Sequence, residues 1–181
     1  DLLAGNTIVN TAGGIISGRD ISMNTVSGDI VNERTVTTAN YSRRQDYMDS
    51  AARIEAANDL NMGAGRDYKN IGSVTVSGRD TRIDAGRDAS IVSAQQESSS
   101  NIGARKSSVT QFGSSAEAGR DIIVSAARDF NAVASQISAD RNVVLAAGED
   151  MTVSSGADET HFYSKTKKVT IQEDHVKQIG S

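Results

Sequence analysis

The residues of this 181-residue chain best equipped for chemistry are carboxylates and guanidinium groups that return together in one short phrase. Gly-Arg-Asp stands at Gly18-Arg19-Asp20, Gly65-Arg66-Asp67, Gly78-Arg79-Asp80, Gly86-Arg87-Asp88 and Gly119-Arg120-Asp121, with weaker copies ending at Asp59, Asp129, Asn142 and Asp150. A row of carboxylates could bind calcium, and an Arg/Asp tripeptide could serve in adhesion. Calcium-binding β-rolls, however, repeat about every nine residues with paired glycines. The adhesion tripeptide has the order Arg-Gly-Asp, which differs from the phrase here. The structural reading remains. Asp20, Asp59, Asp67, Asp80, Asp88, Asp121, Asp129 and Asp150 form a turn ladder whose carboxylates accept hydrogen bonds from turn amides. Stacked Arg19, Arg79, Arg120 and Arg141 offset the repulsion between them.

Other constellations are weaker. His161 and His175, with Asp158, Glu159, Glu173 and Asp174, could surround a metal if that segment folded back on itself. The two histidines lie 14 residues apart without a ligand motif, so they read as solvated side chains, and neither metal nor cofactor is expected. Some parallel β-helices are polysaccharide lyases or esterases that use carboxylates or an Arg. Here each Asp and Arg occupies a repeated slot, whereas a catalytic group should break the repeat, so the chain is expected not to be an enzyme. Tyr41, Tyr47, Phe112, Phe162 and Tyr163 fall in segments that interrupt the repeat. They are the candidate surface-contact residues; cross-strand pairing within hairpins is the plainer account of them.

The spacing of the phrases dictates the elements that position these groups. Indexed by the Asp slot, the steps from 59 to 88 are 8, 13 and 8, and from 121 to 150 they are again 8, 13 and 8. The resulting 21-residue period marks a solenoid, whose unit buries its apolar face only against copies of itself. Positions one and three after each slot are mostly apolar, as in Ile21/Met23, Leu60/Met62, Ile122/Val124 and Phe130/Ala132, which is the period of a half-buried strand. Glycine ahead of the acid reads as the source of a positive φ in a tight turn. So short a cycle has no room for a crossover helix. The expected fold is all-β, a right-handed parallel β-helix of about 21 residues per coil. The third strand falls near Val74-Thr75-Val76 and Gln136-Ile137-Ser138, with its register open by one residue.

First-phrase slots at 20, 59, 80, 121 and 142 are separated by 39, 21, 41 and 21 residues. Every second coil therefore carries an excursion, near 32–56, 95–117 and 157–181. The β propensity of Val36-Thr37-Thr38 and Lys168-Val169-Thr170-Ile171 makes these hairpin-like. Equal phase predicts that they leave one edge of the rod as stacked arms, two coils or ~10 Å apart. Because both chain ends fall within the repeat, residues 1–181 are read as a single β-helix segment of a much longer protein.

Composition agrees. Hydrophobic residues make up 37% and aromatic residues 4% of the chain, with no Trp and no Pro. That suits a narrow aliphatic core and unbroken strand ladders. A net charge of −4 leaves no basic excess for a phosphate backbone, so nucleic acid is not an expected partner. With no Cys there is neither a disulfide framework nor a thiolate metal site. No apolar run is long enough for a membrane helix. The chain is expected to be monomeric.

The phrase Ala118-Gly119-Arg120-Asp121-Ile122-Ile123-Val124 resembles the haemagglutinin repeats of filamentous-haemagglutinin-type exoproteins, which leave Gram-negative bacteria by two-partner secretion. The excursion Glu97-Ser98-Ser99-Ser100-Asn101-Ile102-Gly103-Ala104-Arg105-Lys106-Ser107-Ser108 is similar to the insert of the second repeat class, typical of contact-dependent growth inhibition effectors. Asp140, Asn142 and Glu149 depart from the pattern. The resemblance implies a secreted cell-surface stick that meets an outer-membrane transporter during export. It also implies a role at the target cell's surface or outer membrane during toxin delivery, with transfer to the target-cell envelope. The alternative is the shaft of a host-cell adhesin.

Overall fold

The computed structural model describes residues 1–40 and 43–180. Among them are twenty-three strands and no helix. Three parallel sheets form a rod. The first stacks Leu2–Ala4, Ile21–Thr25, Leu60–Ala64, Thr81–Ala85, Asp121–Ala126 and Asn142–Ala147. The second stacks Ile8–Thr11, Ile30–Glu33, Tyr68–Ile71, Ala89–Val92, Phe130–Val133 and Met151–Ser154, and the third Ile15–Gly18, Arg53–Ala56, Val74–Ser77, Ser115–Ala118 and Gln136–Ala139. The chain visits the three sheets in turn in every coil, which makes the rod a parallel β-helix.

Equivalent residues of successive coils stack directly. Leu60, Thr81, Ile122 and Val143 form one column, and Met62, Ile83, Val124 and Leu145 the next. On the second sheet, large Tyr68 and Phe130 are separated by small Ala89, so the narrow core stays filled without overlap. The open register of the third strand is settled by hydrogen bonding. Thr75 points inward in the column of Ile54, Ala116 and Ile137, while Val74 and Val76 lie outside. The buried Thr75 hydroxyl meets the Tyr68 hydroxyl at 3.1 Å, and Thr81 donates to Ser77 at 2.8 Å. Two pairs of buried hydroxyls in this coil thus satisfy each other. Burial pushes the Tyr68 phenol up to about 12.

A second polar feature runs along the rod inside the second sheet. Asn10 donates to Asn32 at 2.9 Å and Asn32 donates to Asn70 at 3.0 Å. Each amide also donates to a third-sheet carbonyl, those of Arg53, Val74 and Ser115, all at 3.0 Å. The column continues as Ile91, Ala132 and Val153, so this asparagine ladder gives way to an apolar one partway along the rod.

The phrase glycines do not have the expected positive φ. Left-handed glycines are confined to Gly13, Gly72 and Gly103. What the phrase glycine provides is room: a Cβ on Gly78 would lie 2.1 Å from the Ala57 carbonyl oxygen in the coil below, and one on Gly119 would lie 2.3 Å from that of Gly78. Ala57, Ala127 and Asp140 stand in equivalent slots, so a coil can open locally around a side chain.

The corner between second and third sheets has two forms. In short coils it is a left-handed turn, at Ala12-Gly13, Gly72 (φ 56°) or Ala134 (φ 47°). In long coils a hairpin arm leaves there. The arms run Val36–Met48, Ala94–Phe112 and Gly156–Ile179. The first two arms are shorter than the excursions expected at 32–56 and 95–117, because Ile30–Glu33, Arg53–Ala56 and Ser115–Ala118 belong to the rod, and the second begins one residue early, at Ala94. Each short corner tucks under an arm base. A Cβ on Gly72 would fall 2.6 Å from that of Ala94.

Candidate contact surface: the arm sheet and the charged ladder

The three arms join. The first (Val36–Asn40 with Arg43–Met48), the second (Ala94–Ser100 with Arg105–Phe112) and the third (Gly156–Lys165 with Thr170–Ile179) form one six-stranded antiparallel sheet. Arg43–Gln45 pair with Ser98–Ser100, and Arg105–Val109 with Glu159–Tyr163. The geometry follows from matched widths. A hairpin is two strands wide and arms arise two coils apart, each step ~10 Å, so neighbouring arms arrive at strand-pairing distance.

Pairing between arms covers their outer halves, and a carboxylate continues it where backbones diverge. Asp46 of the first arm accepts the Glu97 amide of the second at 2.9 Å. Asp158 of the third accepts the Gln111 amide of the second at 2.7 Å. Asp46 is buried and also accepts the Thr38 hydroxyl at 2.7 Å. Burial pushes its carboxyl up, but the Thr38 and Glu97 hydrogen bonds and nearby Arg44 outweigh this and leave it below the ordinary range. Further contacts are polar or cross-strand: Arg44 to Glu97 at 2.6 Å, Ser98 to Ser108 at 2.8 Å and His161 to Asp174 at 2.7 Å.

The candidate contact residues do not gather into one patch. Tyr47 is 60% exposed. Phe112 lies at the arm base with the Arg34 guanidinium 5.2 Å from its ring, and Phe162 has the Lys106 ammonium 5.3 Å away. Tyr163 is half-buried opposite Arg105, on the face away from Phe162. Tyr41 lies outside the described residues. The third arm folds back as a hairpin, but pairing His161 with Asp174 and Thr160 with His175 puts the two histidines on opposite faces. No group of three potential metal ligands occurs among the described residues.

The ladder acids stand in two columns along the rod, and the Arg of each phrase reaches mainly the acid of the preceding coil. Arg87 holds Asp67 at 2.8 and 2.6 Å, Arg120 reaches Asp80 at 2.9 Å, Arg128 lies 3.3 Å from Asp88, and Arg79 lies 3.6 Å from Asp59. Arg141 and Asn142 both bond Asp121, so the Asn that departs from the phrase still serves the column. Backbone amides add to this: those of Asp59, Asp80 and Asp150 donate to Asp20, Asp59 and Asp129 of the coil before, at 3.5, 3.3 and 3.3 Å. Arg128 turns also to its own neighbour Asp129 at 3.2 Å, where the next coil offers Glu149 in place of an Arg.

Asp29 is the most strongly held acid, and sequence reasoning missed it. Arg66 grips it bidentately at 2.7 and 2.9 Å, and Lys69 bridges it to Asp67 at 3.1 and 3.0 Å. The Arg66 hydrogen bond holds its carboxyl far below the usual range. Burial pushes Asp67 upward, but its bonds to Arg87 and Lys69 prevail and lower it. Ser27-Gly28-Asp29 lacks the Arg of the phrase and so escapes a motif search. Its position does signal it: it precedes Asp67 by 38 residues, against 39 from Asp20 to Asp59.

A family model described as Hemagglutinin repeat matches residues 10–105 and 100–175. The chain belongs to the hemagglutinin-repeat family. No curated protein and no solved structure matches it. Hemagglutinin-repeat proteins are typically secreted cell-surface exoproteins, and the repeat region itself is structural rather than typically catalytic. The hemagglutinin-repeat match takes in the first and second arms and most of the third as well as most of the rod.

Proposed function

We propose that this hemagglutinin-repeat chain is a non-catalytic segment of a large secreted cell-surface exoprotein, and that its arm sheet contacts a neighbouring cell during contact-dependent delivery of a C-terminal toxin. The observation that carries this reading is the division of labour between rod and arms. The rod closes on itself without arms, as the corners at Gly72 and Ala134 demonstrate. The arms add a broad sheet with no core of its own, held off one edge of the rod. Surface that folding does not require is available for recognition. On this reading the outer-membrane transporter sees the chain unfolded, and the target-cell surface sees the finished arm sheet.

The test is to replace Ala94–Phe112 in the full-length protein by a short left-handed corner like that at Gly72-Ser73. Secretion and the rod should survive while killing of neighbouring bacteria falls. Unchanged killing would sink the contact role. Unchanged killing with lost attachment to host cells would favour an adhesin shaft instead.

A further inference from the structure

The arm tips carry a charge distribution opposite to that of the rest of the molecule. Outward of the row in which Ser98 meets Ser108, residues 43–44, 99–107 and 161–174 hold seven Lys and Arg against two acids. This rim is +5 while the remainder of the chain is −9, which together give the net −4. The two populations of cations also differ in partners. Rod arginines such as Arg66, Arg87, Arg120 and Arg141 are bound to ladder carboxylates. At the rim Arg44 is tied to Glu97, but Arg43, Arg105, Lys106, Lys165, Lys167 and Lys168 have no acidic partner among the described residues, and Lys106 rests over Phe162.

Side-chain types at the rim narrow the choice of partner. Arg43 and Lys106 flank Ser100 in one cross-strand row, and an open groove there is lined by hydroxyls from Ser98, Ser108 and Thr160. Guanidinium, ammonium and hydroxyl donors together suit phosphate oxygens. Apolar side chains stand out at the same tips: Ile102 is 58% and Val169 is 54% exposed, next to Arg105 and to Lys167-Lys168. A soluble polyanion would have no use for them. Exposed apolar groups flanked by cations are the pattern of segments that sit at a charged membrane interface. Six strands side by side make the rim a line of roughly 25 Å, able to meet a plane at several points.

We infer that the rim of arm tips docks on a lipid surface bearing anionic phosphate headgroups, with Ile102 and Val169 entering the interface and the unpaired rim cations meeting the phosphates. This deepens the reading of the arms as the contact surface and rests on it. It also orients the molecule, with arms toward the membrane and the acidic rod held away.

The test is co-sedimentation of the purified chain with vesicles of phosphatidylcholine alone or mixed with phosphatidylglycerol. Binding should require phosphatidylglycerol and weaken as salt rises. The variant R105E/K106E/K167E/K168E should lower partitioning by on the order of a hundredfold or more, since each charge is worth about a factor of five. Ile102→Asn should lower it less, by an amount that persists at high salt, and Arg82→Glu on the rod should leave it unchanged, with melting temperatures of all variants checked for folding. Equal binding to neutral vesicles, undiminished binding of the fourfold variant, or displacement by millimolar inorganic phosphate would overturn the inference. So would retention on an immobilised anionic polysaccharide without vesicle binding. If charge reversal changes nothing but loss of the second arm still abolishes killing, the contact role stands and only the lipid partner falls.

Discussion

Rod and arm sheet are built from the same kinds of strand yet held together by different forces. Inside the rod, columns of Ile, Leu, Val and Ala are shut away from water, and the charged ladder fastens one coil to the next from outside. In the arm sheet no comparable apolar column exists. Its cohesion comes from backbone pairing, from hydroxyl and ion pairs, and from the carboxylates of Asp46 and Asp158 where strands diverge. A lone hairpin is marginal in water, and three or more strands are needed for independent order. The second arm, paired on both sides, therefore keeps the first and third in place. Burial makes the rod insensitive to its surroundings, while the arms remain responsive to them.

That contrast can be broken most forcefully from the rod side. Ile122→Asp places a charge in a dry column and should cost about 3–5 kcal/mol, collapsing coils on both sides; a thermal melt close to wild type would contradict the core described above. Asn32→Ala should cost about 2–3 kcal/mol, because Asn10 loses an acceptor and Asn70 a donor. Changing Asn10, Asn32 and Asn70 together to Leu should be milder than that single truncation, since no side-chain amide is left without its ladder neighbour and the carbonyls of Arg53, Val74 and Ser115 each lose only one donor; a larger loss in denaturant melts would mean that the ladder itself holds the coils.

Asp29→Ala should cost about 1–3 kcal/mol by taking from Arg66 its bidentate partner and leaving Lys69 with Asp67 alone, and its effect should vary with pH. The folded pKa of Asp29 lies below its unfolded value, so its contribution is present above the ordinary carboxylate pKa near 4 and fades as pH falls below it. Melting temperatures of wild type and variant should therefore differ at pH 7 and converge in strong acid.

On the arm side the effects are local. Asp46→Ala should leave the rod's melt within about 1 kcal/mol of wild type while the Glu97 amide exchanges faster, as the join between first and second arms loosens. The smallest effect belongs to His161, whose bond to Asp174 raises its pKa above 6.5 and lowers that of Asp174. The contact is fully charged between about pH 4 and 6.5 and weakens as pH rises through the raised value. Amide exchange in the third arm should accelerate across that rise in wild type but not in His161→Ala.

Much of the rod was legible because a solenoid writes its contacts as a period. Stacked residues sit 21 or about 40 positions apart, so the phrase spacing located the sheets, and the alternation after each Asp slot located Leu60, Ile122 and Phe130 inside. Three things escaped. Adjacency of Arg and Asp in the phrase hid the fact that the pair mainly works across coils, and with it the role of Asp29, whose Arg comes from the next coil. The inward turn of Thr75 depends on a phenol seven residues away, which hydropathy alone cannot foresee. The fusion of the arms depends on the ~10 Å step shared by hairpin and coil pair, a match invisible in any single excursion. Among the contact candidates, the aromatic residues were found by composition, whereas the rim charges cancel against nearby acids along the chain and separate only once the hairpins are drawn out straight.

The equality of hairpin width and two-coil rise also constrains how such a molecule can change over generations. Duplication or loss of a full pair of coils, one long and one short, returns every arm to a neighbour at pairing distance. Gain or loss of a single short coil would leave a one-strand gap in the arm sheet, or crowd two hairpins into the space of one and a half, while the rod itself stacked as before. Copy number in this region is therefore expected to drift in steps of about sixty residues, with parity policed by the arms.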